Sequence, residues 1–245
     1  MQNALITGAA RGLGAAIAEA AAAAGYRVGA LDLKLADVEA LAEKIDGVAL
    51  AADVTRPDEV EAALDALGEP PALLVNNAGI LRTGPLIEHS VEDFRLVTDV
   101  NLNSIFVVSK AVARRMRDAG GGVIINMASI NGISPSTLCG AYACAKAGVI
   151  SLTQQMAMEW GEYGIRVNSI APGFIDSGMS EPYYRDPKIR ELRGNAVPLK
   201  TLGEARDIAE CAMFLASDGA KYISGENIAV DGGVIRSVLM QLPRE

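Results

Sequence analysis

Tyr142 and Lys146 stand four residues apart, and Ser129 lies thirteen residues before the tyrosine. Residues with the spacing of the pair share one face of an α-helix, so both side chains can reach the same bound molecule. A tyrosine with the usual pKa near 10 is protonated at neutral pH, whereas a neighbouring ammonium favours the phenolate. The pair therefore predicts an acid/base phenol with a lowered pKa. The alternative is an ordinary amphipathic helix that carries both side chains on its surface.

The composition predicts one globular unit. The chain has 245 residues, 50% of them hydrophobic, and a formal net charge of -8. An α/β chain of this size can bury one continuous core, so we expect a single domain over residues 1–245. The lysines and arginines are scattered, which argues against a nucleic-acid partner. No apolar run reaches about 18 residues and the first strand begins almost at once, so we expect no membrane segment and a cytoplasmic location.

Cysteine and histidine usage argues against metal or thiol chemistry. Cys139, Cys144 and Cys211 are an odd number without CxxC spacing, so we expect buried free thiols. No histidine lies close in sequence to activate a thiol near Tyr142. The single histidine, His89, is in a polar stretch and is expected at the solvated surface. We therefore predict no metal site and no Ser-His-Asp triad.

Short apolar runs alternate with longer helical runs along the chain. This order is typical of βαβ units and predicts an α/β fold with a seven-stranded parallel sheet flanked by helices. The strands are predicted over residues 3–7, 27–32, 48–52, 73–76, 123–127, 166–170 and 227–230. The helices are predicted over residues 13–24, 35–44, 57–67, 91–117, 141–160 and 205–216.

The segment at about 174–203 interrupts this alternation. It contains three prolines, two adjacent tyrosines and mixed charges. Insertions of this length between a strand and the next regular helix often form a lid or a binding loop. We expect a substrate-binding loop with one short helix, and a disordered crossing is the alternative.

A glycine-rich loop, TGAARGLG, lies between the first predicted strand and the first predicted helix. Gly8, Gly12 and Gly14 would allow a tight turn and a close approach of the backbone to a pyrophosphate. The helix that follows offers free N–H groups and a partial positive charge. The loop, with Arg11 and Leu13, therefore predicts a dinucleotide site.

The second predicted strand ends in Asp32. A carboxylate at this position accepts hydrogen bonds from the adenosine ribose and repels a 2′-phosphate, which favours NAD over NADP. Arg11 and Lys34 argue the other way, because a cation there can pair with that phosphate. Asp53 and Val54, after the third strand, are expected to meet the adenine, although an Asx turn explains the aspartate nearly as well.

With these motifs in this order, the sequence resembles the classical short-chain dehydrogenase/reductase family over essentially its whole length. The family's motifs are matched by TGxxxGxG at 7–14, NNAG at 76–79, Asn101, Ser129, YxxxK at 142–146 and PG at 172–173. The resemblance implies a doubly wound, Rossmann-type single domain. It also implies hydride transfer between a nicotinamide cofactor and a secondary alcohol or ketone.

The resemblance assigns a catalytic task to four residues, Asn101, Ser129, Tyr142 and Lys146. Tyr142 is implied to be the acid/base, and Lys146 to lower its pKa and bind the nicotinamide ribose. Ser129 is implied to hold the substrate oxygen, and Asn101 to orient a water that links Lys146 to solvent. Taken singly, Ser129 could instead cap a strand end and Asn101 could bond the backbone at a helix kink.

The resemblance also implies a set of cofactor contacts. These residues are Gly8, Arg11, Gly12, Leu13, Gly14, Asp32, Asp53, Val54, Asn77, Ala78, Gly79, Tyr142, Lys146, Pro172, Gly173, Ile175 and Ser177. Asn76 is expected to help close the bottom of the cleft or to satisfy local backbone groups. The family commonly has a threonine after the PG element that contacts the nicotinamide carboxamide. Asp176 and Ser177 are the candidates here, and Ser177 supplies the same hydroxyl.

Substrate contacts and assembly are less constrained by the motifs. The predicted substrate-binding residues are Ser129, Asn131, Tyr142, Met179 and Tyr183, in a partly apolar pocket with Ile130, Ile133, Leu138 and Tyr184. The resemblance implies a homotetramer. Its interfaces would use the helices at 91–117 and 141–160, and the C-terminal helix with the last strand. The tail 233–245 could then cover a neighbouring subunit's site.

Three functions are compatible with these observations. We expect an NAD-dependent oxidoreductase that acts on a secondary alcohol or the matching ketone. The first alternative is a 3-oxoacyl-thioester reductase that uses NADPH, which the sequence approaches around residues 170–174. Asp32 and the acidic net charge weigh against it. The second alternative is a dinucleotide sensor without turnover, and the complete catalytic set argues against that.

Overall fold

Seven parallel strands form one sheet in the computed structural model of the protein, which describes residues 1–237 and residue 240. The strands are β1 Asn3–Thr7, β2 Arg27–Asp32, β3 Val48–Ala51, β4 Pro71–Asn76, β5 Gly122–Met127, β6 Ile165–Pro172 and β7 Asn227–Val230. Their order in the sheet is β3-β2-β1-β4-β5-β6-β7. The order reverses direction between β1 and β4, and ligands of such sheets bind at the carboxyl ends of the strands next to this point.

Nine α-helices accompany the strands in the described part of the chain. They are α1 Gly12–Ala23, α2 Glu39–Lys44, α3 Pro57–Leu67, α4 Val91–Thr98, α5 Ser104–Ala119, α6 Ala141–Trp160, α7 Glu181–Tyr184, α8 Pro187–Ala196 and α9 Ala205–Ala216. The parallel sheet with its flanking helices confirms the predicted fold class. Val238 and Leu239, in the tail expected to cover a neighbouring site, lie outside the described residues.

The strands divide their side chains between two cores. In β1, Ala4 and Ile6 are buried in the core that contains residues of α1 and α9. Leu5, between them, is buried in the other core with residues of α3 and α5. Successive side chains of a strand point to opposite faces, so a sheet covered on both sides requires an unbroken apolar run. The alternation of strand and helix in the sequence was therefore a sound guide to the fold.

Two predicted helices are interrupted. The helix predicted over 91–117 is divided into α4 and α5 by the π-helical segment Asp99–Asn103. A π-helical turn holds an extra residue, and such turns are frequent at functional sites. The helix predicted over 35–44 consists of a 3₁₀ turn, Leu35–Asp37, followed by the short α2.

The helical segment Val91–Ala119 is long and apolar enough to cross a membrane, judged by length and composition alone. The segment contains Asn101, Asn103 and Lys110, so it is not the unbroken apolar run of about 18 residues that the sequence expectation concerned. Half of its most apolar window is buried inside the protein, as in the core helix of a globular fold. The segment is weak evidence for a membrane span.

The expected positions of the cysteines and the histidine need correction. All three cysteines are free, but only Cys139 is buried, since Cys144 is exposed and Cys211 is half-buried. His89 is half-buried rather than solvated, and its Nε2 lies 3.1 Å from the carbonyl oxygen of Arg82. Residue type alone signals neither result, because α6 turns Cys144 outward and the loop before His89 folds back to bring the Arg82 carbonyl, seven residues earlier, to its ring.

The segment predicted as a loop with one short helix contains two helices. A 3₁₀ turn at Gly178–Ser180 is followed by α7 and then by α8. The two ends of the segment pair with each other, since Asp176 N–H donates to the Gly203 carbonyl at 2.8 Å and Gly203 N–H donates to the Phe174 carbonyl at 2.9 Å. The segment is thus a folded unit rather than a disordered crossing.

Candidate active site

The carboxyl ends of the strands border one cavity of about 1580 Å³. Its lining includes all the predicted catalytic, cofactor-binding and substrate-binding residues except Gly12, Gly14 and Asn101. Neighbouring strands end in different polar groups at this cavity. Asn77 comes directly after β4, and Ser129 comes two residues after β5. The fold brings the predicted residues together, while the tasks assigned to them stay predictions.

Two glycines in the loop between β1 and α1 have no room for a side chain. Gly8 has a φ of +64°, and a Cβ built on it would lie 2.8 Å from Ala78 Cα. A Cβ built on Gly14 would lie 2.1 Å from the Gly8 carbonyl oxygen. Among the described residues no side chain caps the start of α1, and its first turn has no acidic residue. The N–H groups of that turn and the positive end of the helix dipole are therefore open to a diphosphate.

The glycine loop is tied to the NNAG loop that follows β4. Thr7 Oγ1 accepts hydrogen bonds from the backbone N–H groups of Asn77 at 3.0 Å and Ala78 at 3.1 Å. In return, Asn77 Nδ2 donates to the carbonyls of Thr7 at 3.1 Å and Gly8 at 2.9 Å. These four bonds fix the two loops against each other in the cavity wall.

The end of the cavity beside β2 is acidic. Asp32 Oδ2 accepts from the Ala10 N–H at 3.0 Å, and Oδ1 accepts from the Leu33 N–H at 2.8 Å. An ionised carboxylate has about four acceptor positions, so Asp32 retains acceptor capacity for ribose hydroxyls. Asp37 lines the same cavity and was not predicted, because the sequence suggested a continuous helix through this position.

Residues after β3 and one of the two nearby cations line the same end of the cavity. Asp53 and Val54 line the cavity, and Asp53 Oδ1 also accepts from the Thr55 N–H at 2.9 Å, as in the Asx turn that the sequence allowed. Arg11 lines the cavity but is exposed. Lys34 is exposed and is not part of the lining.

Tyr142 lies in the first turn of α6 and is paired with Ser129. Burial raises the pKa of Tyr142, and a hydrogen bond with Ser129 acts in the opposite direction. The predicted lowering of the tyrosine pKa is thus not found, because removal from water disfavours the phenolate. Ser129 Oγ also accepts from the Asn131 N–H at 3.1 Å, so it caps a turn as the alternative interpretation proposed.

Lys146 is buried one turn further along α6. Only 3% of the residue is exposed, and its Nζ donates to the Met127 carbonyl at 2.6 Å. Nζ lies 5.6 Å from the centroid of the Tyr142 ring. Burial lowers the pKa of the Lys146 ammonium to about 8. The end of β5 thus holds the lysine beside the tyrosine.

Asn101 is fully buried in the π-helical segment, behind the cavity wall. Its Nδ2 donates to the carbonyls of Val97 at 2.8 Å and Ile80 at 2.9 Å, and its Oδ1 accepts from the Ile80 N–H at 3.2 Å. Asn101 therefore holds the loop after β4 against the helix. This is the backbone role that the sequence offered as the alternative to orienting a water.

The predicted substrate residues occupy one part of the cavity, which we call the substrate end and define by Asn131, Met179 and Tyr183. Ile130 and Leu138 line the cavity as well. The pocket predictions for Ile133 and Tyr184 are wrong, since neither belongs to the lining and Tyr184 is buried.

Of the two candidates for contact with the nicotinamide amide, Ser177 lines the cavity. Asp176 does not, and it is engaged in an ion pair with Arg190 of α8. In the part of the chain that the structure describes, no group of three or more His, Cys, Asp or Glu side chains could hold a metal ion.

Comparisons with known proteins agree with this geometry. The sequence model of a family described as Enoyl-(Acyl carrier protein) reductase matches residues 8–235. D-threitol dehydrogenase of Mycolicibacterium smegmatis is 38% identical over 238 residues, which cover 94% of this chain and 91% of that protein. The 3-oxoacyl-(acyl-carrier-protein) reductase FabG of Vibrio cholerae is 39% identical over 236 residues, which cover 94% of this chain and 96% of that protein. The chain belongs to the short-chain dehydrogenase/reductase family.

A solved structure of the same family is similar over nearly the whole chain. The gluconate 5-dehydrogenase of Burkholderia cenocepacia, in complex with NADP and tartrate, has a TM-score of 0.91 and 33% identity, covering 97% of this chain and 96% of that one. As a short-chain dehydrogenase/reductase, the protein transfers hydride between a nicotinamide cofactor and an alcohol or ketone. The glycine loop, the open start of α1 and the acceptor positions of Asp32 fit such a cofactor.

A buried polar network that was not predicted anchors α6, the helix that carries Tyr142 and Lys146. Asn76 Nδ2 donates to Ser109 Oγ and to Asn126 Oδ1, both at 2.8 Å. Asn126 Nδ2 donates to Thr153 Oγ1 at 2.9 Å. The network joins β4 and β5 to α5 and α6, so Asn76 lies behind the cofactor cleft and bonds side chains. Two asparagines in otherwise apolar strands were the available sequence signal.

Proposed function

We propose that the protein is an NAD-dependent oxidoreductase of secondary alcohols and ketones, with Tyr142 as its acid/base. The observation that carries the cofactor preference is the acidic end of the cavity, where Asp32 ends β2 and Asp37 lines the same wall. The solved relative described above binds NADP, so cofactor choice has to be argued from this chain's own residues.

The charges at this end favour NAD. A 2′-phosphate beside Asp32 would meet a carboxylate that is already held in place by two backbone N–H groups. Two unit charges about 5 Å apart interact by about 3 kcal/mol at an effective dielectric constant of about 20. Of the two cations that argue for NADP, only Arg11 lines the cavity, and it is exposed, so solvent screens its attraction for the phosphate more than it screens the half-buried Asp32.

The proposed chemistry assigns one task to each of three side chains. In ketone reduction, Tyr142 donates its hydroxyl proton to the substrate oxygen, and a phenol whose pKa is raised by burial is protonated for this step. Ser129, hydrogen-bonded to the phenol, stabilises the same oxygen. Lys146, held at the Met127 carbonyl, binds the nicotinamide ribose and supplies positive charge beside the ring. The cofactor provides or accepts the hydride.

Cofactor preference is tested with Asp32→Asn, which removes the charge and keeps one acceptor oxygen. We expect the ratio of kcat/KM for NAD to that for NADP to fall at least about tenfold, because the repulsion of the 2′-phosphate is relieved. Asp58→Asn is the matched control, since Asp58 is exposed on α3 outside the cavity lining. A wild-type preference for NADP, or an unchanged ratio in Asp32→Asn, contradicts the proposal.

Reduction of 3-oxoacyl thioesters with NADPH is the second candidate function. The 39% identity to FabG of Vibrio cholerae favours it, and the acidic end of the cavity opposes it. Assays of 3-oxobutanoyl-CoA with NADPH and with NADH separate the two functions. Faster reduction of this thioester than of any free ketone, with NADPH preferred, would favour the second candidate.

We further propose a cytoplasmic homotetramer. Phe94 of α4, Phe106 of α5 and Met158 of α6 are large apolar side chains left exposed in the single chain, outside the cavity lining. Exposed apolar side chains on the helices assigned to an interface support assembly through them. Light scattering after size-exclusion chromatography gives the mass of the assembly, and a monomer would contradict this proposal.

A further inference from the structure

Arg193 of α8 lines the cavity at the substrate end and is half-buried. Its guanidinium carbon lies 5.3 Å from the ring centroid of Phe174 and 5.5 Å from those of Tyr183 and Tyr184. One guanidinium nitrogen donates to the Tyr184 hydroxyl at 3.3 Å. Three aromatic rings thus hold this cation in place beside the space where the substrate is expected.

No acidic side chain among the described residues pairs with Arg193. Two neighbours in the same segment are paired, Arg185 with Glu181 and Arg190 with Asp176. A guanidinium has about five N–H donors, and the hydrogen bond to a tyrosine hydroxyl uses one of them. Arg193 therefore keeps most of its donors for another acceptor.

The distribution of charge along the cavity makes that acceptor an anion. In the described lining the acidic side chains are Asp32, Asp37 and Asp53, all beside the ends of β2 and β3. Arg82 also lines the cavity, but it is paired with Asp93 at 3.6 Å. The substrate end thus offers an unneutralised cation and no carboxylate of the described chain to meet it.

The chemistry of the guanidinium favours a carboxylate. Its planar fork forms two parallel hydrogen bonds with the two oxygens of a carboxylate, which fixes orientation as well as charge. The surrounding rings hold the arginine before the ligand arrives, which lowers the entropic cost of binding.

We propose that Arg193 binds a carboxylate of the substrate, so that the compound reacting at Tyr142 is a hydroxy acid or keto acid rather than a neutral alcohol or ketone. The inference rests on the proposed function, because it requires both residues to face one bound substrate. The cofactor diphosphate is the other anion expected in this cavity, and the experiment must distinguish it.

The test compares aldonates with alditols of four, five and six carbons, which differ by the carboxylate. For Arg193→Gln we expect the ratio of kcat/KM for acid to that for polyol to fall at least about thirtyfold, whereas Arg193→Lys retains part of the ratio. Arg185→Gln is the matched control, since Arg185 is exposed in the same segment and does not line the cavity. NADH affinity, measured by fluorescence, should stay within about twofold in every variant.

Three results would overturn the inference. First, the acid-to-polyol ratio could stay unchanged in Arg193→Gln, including the case in which activity falls equally on both substrate classes. Second, NADH binding could weaken, which would assign the arginine to the diphosphate. Third, the wild type could prefer phosphorylated polyols, which would contradict a carboxylate site.

If no alcohol or ketone is turned over, the proposed function fails and the role of Arg193 is tested by binding alone. Calorimetry measures the binding of the aldonates to the NADH-bound protein. Binding that is lost in Arg193→Gln supports a carboxylate site at this arginine, and no binding to the wild type contradicts it.

Discussion

Lys146 combines a positive charge with nearly complete burial, and this combination has a cost. The side chain gives one hydrogen bond to the Met127 carbonyl, and burial lowers its pKa to about 8 from an ordinary value of 10.5. The unfolded chain therefore binds more protons than the folded chain between these two pH values. The free energy of unfolding therefore rises with pH through that window. Below the window, the burial of the charged ammonium destabilises the folded protein by the full amount of about 3 kcal/mol.

This cost predicts a pH-dependent effect of Lys146→Met. The difference in unfolding free energy, wild type minus variant, should increase by up to about 3 kcal/mol between about pH 7 and about pH 10, because the buried charge is lost only in the wild type. Denaturant titrations at both pH values measure it. Lys221→Met, at an exposed lysine, is the control and should show no such change. A difference that does not vary with pH contradicts the lowered pKa.

The sequence predicted which side chains form the candidate site, but it did not predict the direction of the tyrosine pKa shift or the presence of Arg193. Tyr142, Lys146 and Ser129 line one cavity, as their spacing and order suggested. The raised pKa of Tyr142 depends on burial, which no local pattern encodes. Arg193 was missed because three rings brought together by folding are what single it out.

At the scale of elements, the π-helical segment between α4 and α5 has a specific cause. Asn101 forms three hydrogen bonds with backbone groups of Val97 and Ile80, so it joins the helix to the loop after β4. Asn103, two residues later, is exposed and bonds only the Asp99 side chain at 2.7 Å among its described partners. Asn103 therefore serves as the exposed control for a substitution of the buried Asn101.

We expect Asn101→Ala to lower the unfolding free energy by about 2–4 kcal/mol, because it removes the hydrogen bond to the buried Val97 carbonyl and both bonds to the part-buried backbone of Ile80. Asn103→Ala should change it by less than about 0.5 kcal/mol. Denaturant unfolding measures both. Equal effects of the two substitutions would show that the buried bonds are not what holds the segment.

The helix predicted over 91–117 illustrates why sequence periodicity has limits. Its apolar spacing continues through the break, so the pattern gives no sign of the π-helical turn. The turn depends on a partner in another loop, Ile80, which is distant in sequence. By contrast, α3, α6 and α9 begin and end at the predicted residues, where proline, glycine or a capping box marks the boundary locally.

At the scale of the whole molecule, the parallel sheet brings motifs that are far apart in the sequence to one cavity. The glycine loop follows β1, the NNAG loop follows β4 and Ser129 follows β5, and these three strands are neighbours in the sheet. The alternation of segments predicted the sheet, and the motif order predicted which loops meet. The substrate end takes Met179, Tyr183 and Arg193 from the 174–203 segment, whose two helices and paired ends depend on contacts with no local signal.

In the proposed function Tyr142 transfers the proton, and loss of its hydroxyl should leave cofactor binding largely intact. The most direct measurement is steady-state alcohol oxidation, followed by NADH absorbance, for Tyr142→Phe together with NADH affinity. We predict that kcat falls about 10²–10⁴-fold and that the NADH dissociation constant changes by less than about twofold. Tyr222→Phe, at a fully exposed tyrosine outside the cavity, should match the wild type in both. A Tyr142→Phe variant that retains most of the wild-type kcat would contradict the proposed role of Tyr142.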